Sequence, residues 1–313
     1  MKAVIYEEYG SADVLQFVDR ELPKPSGRQL LIRAEACSVN PIDWRVRSGE
    51  AKYLIPFGFP RIPGYDLAGV VERAPKGCGF AVGDRVMAFL KSMTGGAYAE
   101  YVTCSPDVVA KIPDSMSSQD AAAMGLAGTT ALQCLRDYGK LGVGQHVVVT
   151  GASGGVGSFA VQIAVARGAR VTGIASSKNE ELVRSLGAER FIDYHSNRYL
   201  RQVEPCDVFL DAAGKISFNE ARLVMNSDAH FVTTEPSLQF ACLSLLTAVV
   251  PGRTCRTMLA RANSRDLREL VHLWSSDKLR VIRNEVFPLS EAGAAHRHGE
   301  GGHGTGKIVL SIN

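Results

Sequence analysis

The sequence predicts a mixed α/β protein in which a partly open β-barrel is combined with a doubly wound parallel sheet. Two observations lead to this prediction. Short β-branched runs separated by Pro and Gly fill the first hundred residues, which we therefore expect to be all-β and to form a small barrel. From residue 146 onward, near-continuous apolar strands alternate with helical segments, as in a parallel sheet that is buried on both faces.

The predicted elements follow in order along the chain. The first part contains strands at residues 3–6, 29–37, 67–73, 85–89 and 97–103. After Pro113 an Ala-rich helix is predicted at 120–135, and the alternating part has helices at 156–167 and 179–186 and strands at 147–150, 170–175, 191–194, 208–212, 231–234 and 254–260. The tail ends in a strand at 307–312, which we expect to rejoin the N-terminal domain. The predicted domains are residues 1–118 with 262–313, and residues 119–261.

Composition excludes several classes of protein. The 313 residues include 35 Lys and Arg against 32 Asp and Glu, and a net charge of +3 without a clustered basic face argues against nucleic-acid binding. No apolar stretch is long enough to span a bilayer, and the first residues predict a strand rather than a leader. The seven cysteines form no CxxC pair, which favours reduced thiols in a cytoplasmic protein.

A glycine-rich loop between a buried strand and an apolar helix is the strongest chemical signal. It reads VVVTGASGGVG at 147–157. Gly154 and Gly155 allow backbone amides to approach a pyrophosphate, and Gly157 allows the helix and the strand to pack closely. The strict GxGxxG pattern is absent because Ala152 takes the first place. The order strand, loop, helix, strand still favours a dinucleotide site over a turn without a ligand.

The end of the next strand distinguishes between the two nicotinamide cofactors. An NAD site carries Asp or Glu about 20 residues beyond the loop, where it bonds the ribose 2′-hydroxyl. Here the strand runs into Ser176, Ser177 and Lys178 instead. Two hydroxyls and an ammonium suit a 2′-phosphate, which favours NADPH, although Lys178 also fits the role of a solvated residue at a helix start.

Several further motifs carry a resemblance to a known family. They are NPIDWRVRSG at 40–49, PGYDLAG at 63–69, FAVGDRV at 80–86, LAGTTA at 126–131, LGA at 186–188, IDY at 192–194 and GKIV at 306–309. With these motifs the sequence resembles the medium-chain dehydrogenase/reductase superfamily and, within it, the zinc-independent quinone oxidoreductases, in the branch of the chloroplast-envelope homologue and related enone reductases. The resemblance implies a GroES-like catalytic domain built from both chain ends and a Rossmann domain between them.

The same resemblance implies roles for individual residues. Those implied under the pyrophosphate are Ser153, Gly154, Gly155 and Val156. Those implied around the 2′-phosphate and the adenosine are Ser176, Ser177, Lys178 and Tyr194. Those implied at the nicotinamide end are Thr130, Ala213 and Thr233.

The resemblance also bears on metal binding. Zinc-dependent relatives hold the catalytic metal with a Cys, a His followed by Glu, and a second Cys. This chain has Asn40 in place of the first Cys and Tyr65-Asp66 in place of His-Glu, which predicts no zinc. Three histidines lie in HRHGEGGH at 296–303, but the glycines there predict a mobile, solvated loop without a metal.

Without a Lewis acid, a hydride needs an acceptor that already disperses negative charge. Quinones and α,β-unsaturated carbonyls are such acceptors, so both are candidate substrates. The candidate hydrogen-bond donors are Asn40, Tyr53 and Tyr65, with Thr130 and backbone amides behind them, and Asn40 is the first candidate for orienting the carbonyl. Asn40 also fits a turn-shaping role before a proline, and the spacing to Tyr53 is longer than in relatives, so solvent is an alternative proton source. Asp43 and Arg47 are predicted to form a structural ion pair.

The leading hypothesis is an NADPH-dependent oxidoreductase that acts on quinones or other conjugated carbonyls. Two alternatives stay open: a reductase of alkenals or enones, and a non-catalytic protein that binds NADPH. The resemblance implies a homodimer, often formed by pairing of Rossmann edge strands. Peripheral membrane association is also open, because related envelope proteins attach without a spanning helix.

Overall fold

A computed structural model describes residues 1–53, 55, 58–235, 237–302 and 304–312. The chain forms two compact units. The terminal unit comprises Met1–Leu126, Arg261–Ser275 and Arg283–Asn313, and the central unit comprises Ala127–Ala260 and Ser276–Ile282. The domain boundaries given above stay a prediction. Among the described residues, no helix is both long enough and apolar enough to cross a bilayer.

The elements of the first half, in chain order, are β1 (Lys2–Ile5), β2 (Gln16–Asp19), β3 (Leu30–Val39), α1 (Pro41–Ser48), β4 (Asp66–Arg73), β5 (Arg85–Phe89), β6 (Tyr101–Cys104), β7 (Val109–Lys111), α2 (Ser118–Gln133), β8 (His146–Thr150) and α3 (Gly155–Ala166). Those of the second half are β9 (Arg170–Ala175), α4 (Glu180–Ser185), β10 (Arg190–Asp193), β11 (Cys206–Asp211), α5 (Phe218–Ala221), β12 (Met225–Thr233), α6 (Leu238–Val249), β13 (Thr254–Thr257), α7 (Ser264–Ser275), β14 (Arg283–Pro288), α8 (Ala292–Glu300) and β15 (Lys307–Ser311).

The terminal unit is built around a seven-stranded sheet with the order β14-β15-β3-β4-β5-β7, to which β6 adds by pairing with β3. Its pairs are antiparallel, except for the parallel pair of β14 and β15. The last strand runs beside β3, with Ile308 opposite Val39. The end of the chain therefore supplies a strand to the sheet that the beginning of the chain forms.

The central unit contains a six-stranded sheet with the order β10-β9-β8-β11-β12-β13, and all of its pairs are parallel. Every residue of β8 is buried, which explains why this strand is apolar without alternation. Since the strands are parallel, their carboxyl ends meet at one edge, where ligands bind in open α/β sheets. The predicted α/β fold class, with a doubly wound parallel sheet, is confirmed.

The helix α6 covers the edge of this sheet that β13 forms. The side chain of Thr247 accepts a hydrogen bond from the Cys255 amide at 2.9 Å, and that of Ser244 accepts one from the Thr257 amide at 3.1 Å. The outward amides of β13 are therefore bonded to helix hydroxyls. The opposite side of α6 is apolar and exposed, and its Leu238 is 82% exposed.

The prediction that the first hundred residues are all-β is wrong at α1. Asn40 has extended backbone angles at the helix start, Pro41 takes the first helical position, and the Asp43 carboxylate accepts the Asn40 amide at 2.7 Å. Gly49 ends the helix with a φ of 91°. The start and stop signals are those of an ordinary helix, but the segment is too polar to show an apolar stripe.

The predicted mobile loop at 296–303 is also wrong over its first part, because residues 296–300 belong to α8. His296 is fully buried there, whereas His303 lies outside the described residues. The ion pair predicted between Asp43 and Arg47 is wrong as well. Arg47 instead donates to Glu300 at 2.5 Å and contacts His296 Nδ1 at 3.0 Å.

Candidate functional site

The loop between β8 and α3 has the form of a phosphate cradle. Gly151 has a φ of 61°, and the Gly154 amide donates to the Gly151 carbonyl at 2.8 Å, which closes the turn. Gly154 then precedes α3, whose 12 residues begin at Gly155. The first amides of a helix lack partners within the helix and carry partial positive charge, so they suit an anion.

Gly157 is the position in this loop where a side chain does not fit. A Cβ there would lie 2.0 Å from the Gly151 oxygen and 2.9 Å from Ala152 Cα. At Gly154 a Cβ would lie 3.2 Å from the same oxygen, a tight contact. The close packing of helix on loop thus depends on Gly157, as a dinucleotide-binding turn requires, and the loop fits a pyrophosphate.

The predicted 2′-phosphate residues follow β9. Ser177 and Lys178 are exposed, and Ser176 is half-buried. The side-chain amide of Asn179 donates to Ser153 Oγ at 3.0 Å, which ties this segment to the glycine loop. The structure therefore brings Ser153 close to the Ser176–Lys178 segment.

Asp193, the last residue of β10, and Tyr194, which follows it, lie beside that segment. Hydrogen bonds from the His195 amide and side chain and from Ser177 hold the pKa of the Asp193 carboxyl below its usual range. The Tyr194 amide donates to the Ala175 carbonyl at 3.3 Å. The Tyr194 ring lies 4.2 Å from that of His195 and is 45% exposed, so one aromatic surface is accessible at this edge.

Polar side chains fix the ends of β11 and β12. Thr150 Oγ donates to buried Asp211 at 2.6 Å and accepts the Ala213 amide at 3.4 Å. Thr233 is fully buried, and its hydroxyl accepts the Glu235 amide at 3.1 Å. Ala213 and Thr233 thus join the other cofactor candidates at one edge of the sheet. The remaining candidate, Thr130, is buried in α2.

In the terminal unit, Asn40 lies in a buried polar cluster with Asp66 and Lys307. Asn40 is 1% exposed and Lys307 is 4% exposed. The ammonium of Lys307 donates to Asn40 Oδ1 at 2.5 Å and to the Val39 carbonyl at 2.8 Å. Asn40 Nδ2 contacts Asp66 Oδ1 and Ser38 Oγ, each at 3.3 Å. Both ends of the Asn40 amide are therefore engaged within the protein.

Asp66 is held from two further directions. Ser38 Oγ donates to Asp66 Oδ1 at 2.8 Å, and the Leu126 amide donates to Oδ2 at 2.9 Å. Burial raises the pKa of the Asp66 carboxyl, while the charge of Lys307 opposes that shift. Burial lowers the pKa of Lys307, and the nearby carboxylates of Asp66 and Asp43 oppose it. Neighbouring groups of opposite charge, rather than solvent, thus stabilise the charges of Asp66 and Lys307.

Asp43 connects this cluster, through Tyr98, to His296 of α8. Besides the Asn40 amide, its carboxylate accepts the Gly64 amide at 3.1 Å and the Tyr98 hydroxyl at 3.3 Å. That hydroxyl lies 3.1 Å from His296 Nε2. Burial raises the pKa of Asp43 to about 7, and burial together with Arg47 lowers that of His296 to about 3.

The tyrosines proposed as proton donors lie in different surroundings. Tyr53 is 87% exposed, and the Lys52 ammonium lies 5.0 Å from its ring centroid. Tyr65 is buried and donates its hydroxyl proton to the Met93 carbonyl at 2.9 Å. Burial raises the pKa of Tyr65. Neither hydroxyl is hydrogen-bonded to Asn40.

Of the residues that the family resemblance puts in place of zinc ligands, only Asp66 carries a group that commonly binds zinc, and the set does not fit the metal. Asn40 offers an amide that is already bonded, Tyr65 a protonated hydroxyl, and Lys307 places an ammonium against Asn40. Zinc sites need thiolate, imidazole or carboxylate ligands in a tetrahedral set. Within the described part of the chain, no group of three or more His, Cys, Asp or Glu residues is arranged to hold a metal.

Sequence reasoning missed Lys307, Tyr98 and His296 as members of the cluster. Lys307 stands in the GKIV motif quoted above, so a signal existed at that position. Nothing local to it indicated a partner, because Asn40 lies 267 residues away in the chain. Tyr98 and His296 are likewise separated by 198 residues.

Comparisons with known proteins support both parts of this description. Residues 26–114 match the alcohol dehydrogenase GroES-like domain, and residues 186–310 match the zinc-binding dehydrogenase family. The chain is 32% identical to the chloroplast envelope quinone oxidoreductase homolog of Arabidopsis thaliana, over 99% of this chain and 98% of the relative.

Solved structures agree with the sequence relatives. The quinone oxidoreductase of Coxiella burnetii superposes with a TM-score of 0.91 at 32% identity, covering 100% of this chain and 99% of that one. A mycobacterial protein solved in complex with NADPH superposes with a TM-score of 0.84 at 27% identity, covering 99% of both chains. The chain therefore belongs to the quinone oxidoreductase family of the medium-chain dehydrogenase/reductase superfamily.

Proposed function

We propose that the protein is an NADPH-dependent, zinc-independent oxidoreductase that reduces quinones and other conjugated carbonyls. The observation that carries the cofactor choice is the segment after β9, where two hydroxyls and the Lys178 ammonium follow the strand without a carboxylate. The contact between Asn179 and Ser153 keeps this segment beside the glycine loop. The mycobacterial relative that was solved with NADPH supports the same choice.

Each cofactor residue has a proposed role. The loop residues Ser153, Gly154, Gly155 and Val156 would hold the pyrophosphate, and the first amides of α3 would donate hydrogen bonds to it. Ser176 and Lys178 would donate hydrogen bonds to the 2′-phosphate, and Ser177 would do so once its hydroxyl turns away from the Asp193 carboxylate. The exposed ring of Tyr194 would pack on the adenine, and Thr130, Ala213 and Thr233 would hold the nicotinamide end. When bound, NADPH supplies a hydride.

The acceptor takes up that hydride and one proton, so a quinone becomes a hydroquinone. Asn40 is the proposed orienting group for the acceptor, although the protein already engages both ends of its amide. Tyr53 is the second proposed polar group. Its exposure favours proton delivery from solvent over delivery from a buried donor.

Other parts of the proposal depend on sequence patterns and family resemblance. The two-domain division at residues 118/119 and 261/262 and a homodimer are expected from the resemblance, and a cytoplasmic location from the cysteines, which form no CxxC pair. Alkenals or enones are the alternative acceptors, since they disperse charge as quinones do. A non-catalytic NADPH-binding role is the remaining alternative, and turnover distinguishes it from an enzyme.

The first experiment follows the loss of NADPH absorbance with a naphthoquinone or with a medium-chain 2-alkenal, each repeated with NADH. Turnover with NADPH and either acceptor is expected, and it identifies the preferred conjugated system. Tight NADPH binding without turnover of any acceptor would contradict the enzymatic proposal and favour the binding role.

The second experiment tests the 2′-phosphate residues with Lys178→Ala. Losing a charge-assisted hydrogen bond should raise the KM for NADPH about 10- to 100-fold and change that for NADH less than about twofold. The matched control is Lys140→Ala, because Lys140 is exposed in the same unit but precedes β8, at the opposite end of the strands. Equal losses for both cofactors would reject the assignment.

A further inference from the structure

We propose that Lys307 is a positioning residue whose ammonium is a built-in cation that fixes the Asn40 amide, at the place where zinc-dependent relatives carry metal ligands. The role in turnover rests on the proposed function, since it concerns how Asn40 meets a carbonyl acceptor. The structural part of the inference concerns only the contacts of Lys307 and is tested without cofactor.

The position of Lys307 follows from the sheet. It is the first residue of β15, which pairs with β3 so that Ile308 lies opposite Val39. That register places the Lys307 side chain at the end of β3, where the chain turns into α1. Its ammonium reaches the Val39 carbonyl and Asn40 Oδ1, and both contacts are buried.

The chemistry of the partners determines the orientation of the Asn40 amide. An ammonium only donates hydrogen bonds and a carboxylate only accepts them. Lys307 therefore faces Asn40 Oδ1, while Asp66 faces Nδ2 at 3.3 Å. Without the ammonium, the amide oxygen loses this donor and only the contacts of Nδ2 still hold the amide. Lys307 and Asp66 thus together select one of two orientations that are similar in shape.

The charges around Lys307 explain why an ammonium is stable in a buried place. Asp66 and Asp43 are both buried, and both act on Lys307 as opposite charges. Tyr98 and Cys37 lie near the carboxylates, and burial raises the pKa of both, so they stay neutral. His296 lies behind Tyr98, where burial and the charge of Arg47 lower its pKa and keep it neutral. A buried charge is tolerated when it is paired and hydrogen-bonded, and removing one partner is costly.

The same ammonium disfavours a divalent cation at this place. A metal ion bound by Asp66 and the Asn40 oxygen would be repelled by the Lys307 ammonium, which already contacts that oxygen. Removing Lys307 would leave two buried carboxylates without their compensating charge. The protein therefore carries its own cation there, and the two acids are arranged around it.

The test compares the thermal unfolding of Lys307→Met, Asp66→Asn and the double variant, each without cofactor. Lys307→Met should lower the Tm by about 10 °C, because it leaves buried carboxylates uncompensated. The double variant removes one charge of each sign and should recover most of that loss. Lys76→Met, at an exposed lysine of the same unit, is the control and should leave the Tm unchanged.

The pH dependence adds a second readout. In Lys307→Met, the buried acids should keep pKa values above those of the unfolded chain, so they bind protons more readily in the folded state. Stability from such groups is present at low pH and is lost as pH rises through the folded pKa. The Tm loss should therefore be larger at pH 8 than at pH 5. Parallel profiles, or additive losses in the double variant, would overturn the charge argument.

Turnover then tests the positioning role. In Lys307→Met, kcat should fall at least about tenfold while the Kd for NADPH changes less than about twofold, since the glycine loop belongs to the central unit. A wild-type kcat in this variant would overturn the positioning role. If the wild-type protein turns over no acceptor, the proposed function fails, and the unfolding data still decide whether Lys307 is the compensating cation.

Discussion

Replacing Gly157 with Ala should separate the glycine loop from the helix that packs on it. The added Cβ would lie 2.0 Å from the Gly151 oxygen and 2.7 Å from the Gly151 carbonyl carbon. Both are backbone atoms, so no flexible side chain can move away. Relieving the contact requires a shift of about 1 Å or more between α3 and the end of β8.

The expected cost follows from that displacement. Forcing extra volume into a packed site costs about 1–3 kcal/mol, and a clash with backbone lies at the upper end, near ~3 kcal/mol. For a unit of this size the corresponding fall in Tm is about 10 °C. A displacement of about 1 Å at the loop also weakens NADPH binding, by about 10- to 100-fold for the loss of one hydrogen bond to the charged pyrophosphate.

The assay measures thermal unfolding by circular dichroism and NADPH affinity by fluorescence. Gly154→Ala is the matched control, because Gly154 has a φ of −80° and a Cβ there meets the Gly151 oxygen at 3.2 Å, a tight contact that a shift of a few tenths of an ångström relieves. This control should keep the Tm within about 2 °C while weakening NADPH, since its methyl takes up space at the pyrophosphate. A Gly157→Ala protein with wild-type Tm and affinity would refute the reasoning.

Three further outcomes are expected. An aromatic disulfide reagent should react with exposed Cys242 in the native protein. Five buried thiols should react only after unfolding, because burial raises their pKa: Cys37, Cys104, Cys134, Cys206 and Cys255. The pKa of His296 falls from 6.5 to about 3 on folding, so between these pH values the unfolded chain binds a proton that the folded protein does not. Stability is therefore lost as pH falls through this range, and acid should lower the Tm of the wild type more steeply than that of His296→Gln. Dialysis against EDTA should leave quinone turnover unchanged, and inhibition reversed by zinc would contradict the metal-free proposal.

Local signals account for the parts of the fold that the sequence predicts well. The strand β8, the glycine loop and α3 follow one another within about twenty residues, and each has its own composition. The helix α1 was missed although Asn40, Pro41 and Gly49 mark its ends. Its charged residues, among them Arg45, give it no apolar stripe, and its stability comes from contacts such as the Asp43 carboxylate on the Gly64 amide.

The cofactor residues and the cluster around Asn40 also differ in how well local sequence signals predict them. The cofactor residues stand at the ends of consecutive parallel strands, so their common edge follows from topology alone. The cluster around Asn40 joins residues from both ends of the chain, and no periodicity indicates that Lys307 reaches it. Glycines near His296 suggested a loop, but Arg47 and Tyr98 hold that histidine within a helix.

The hydroxyls of α6 that bond the outward amides of β13 affect how two copies of the chain can associate. Adding a strand to an edge requires free amides, and here a neighbouring strand would have to displace Ser244 and Thr247 first. An edge-strand homodimer formed through β13, rather than through β10 at the other edge, therefore needs α6 to move away from β13. A Ser244→Ala/Thr247→Val chain, which lacks this competition, should associate more readily through its sheet.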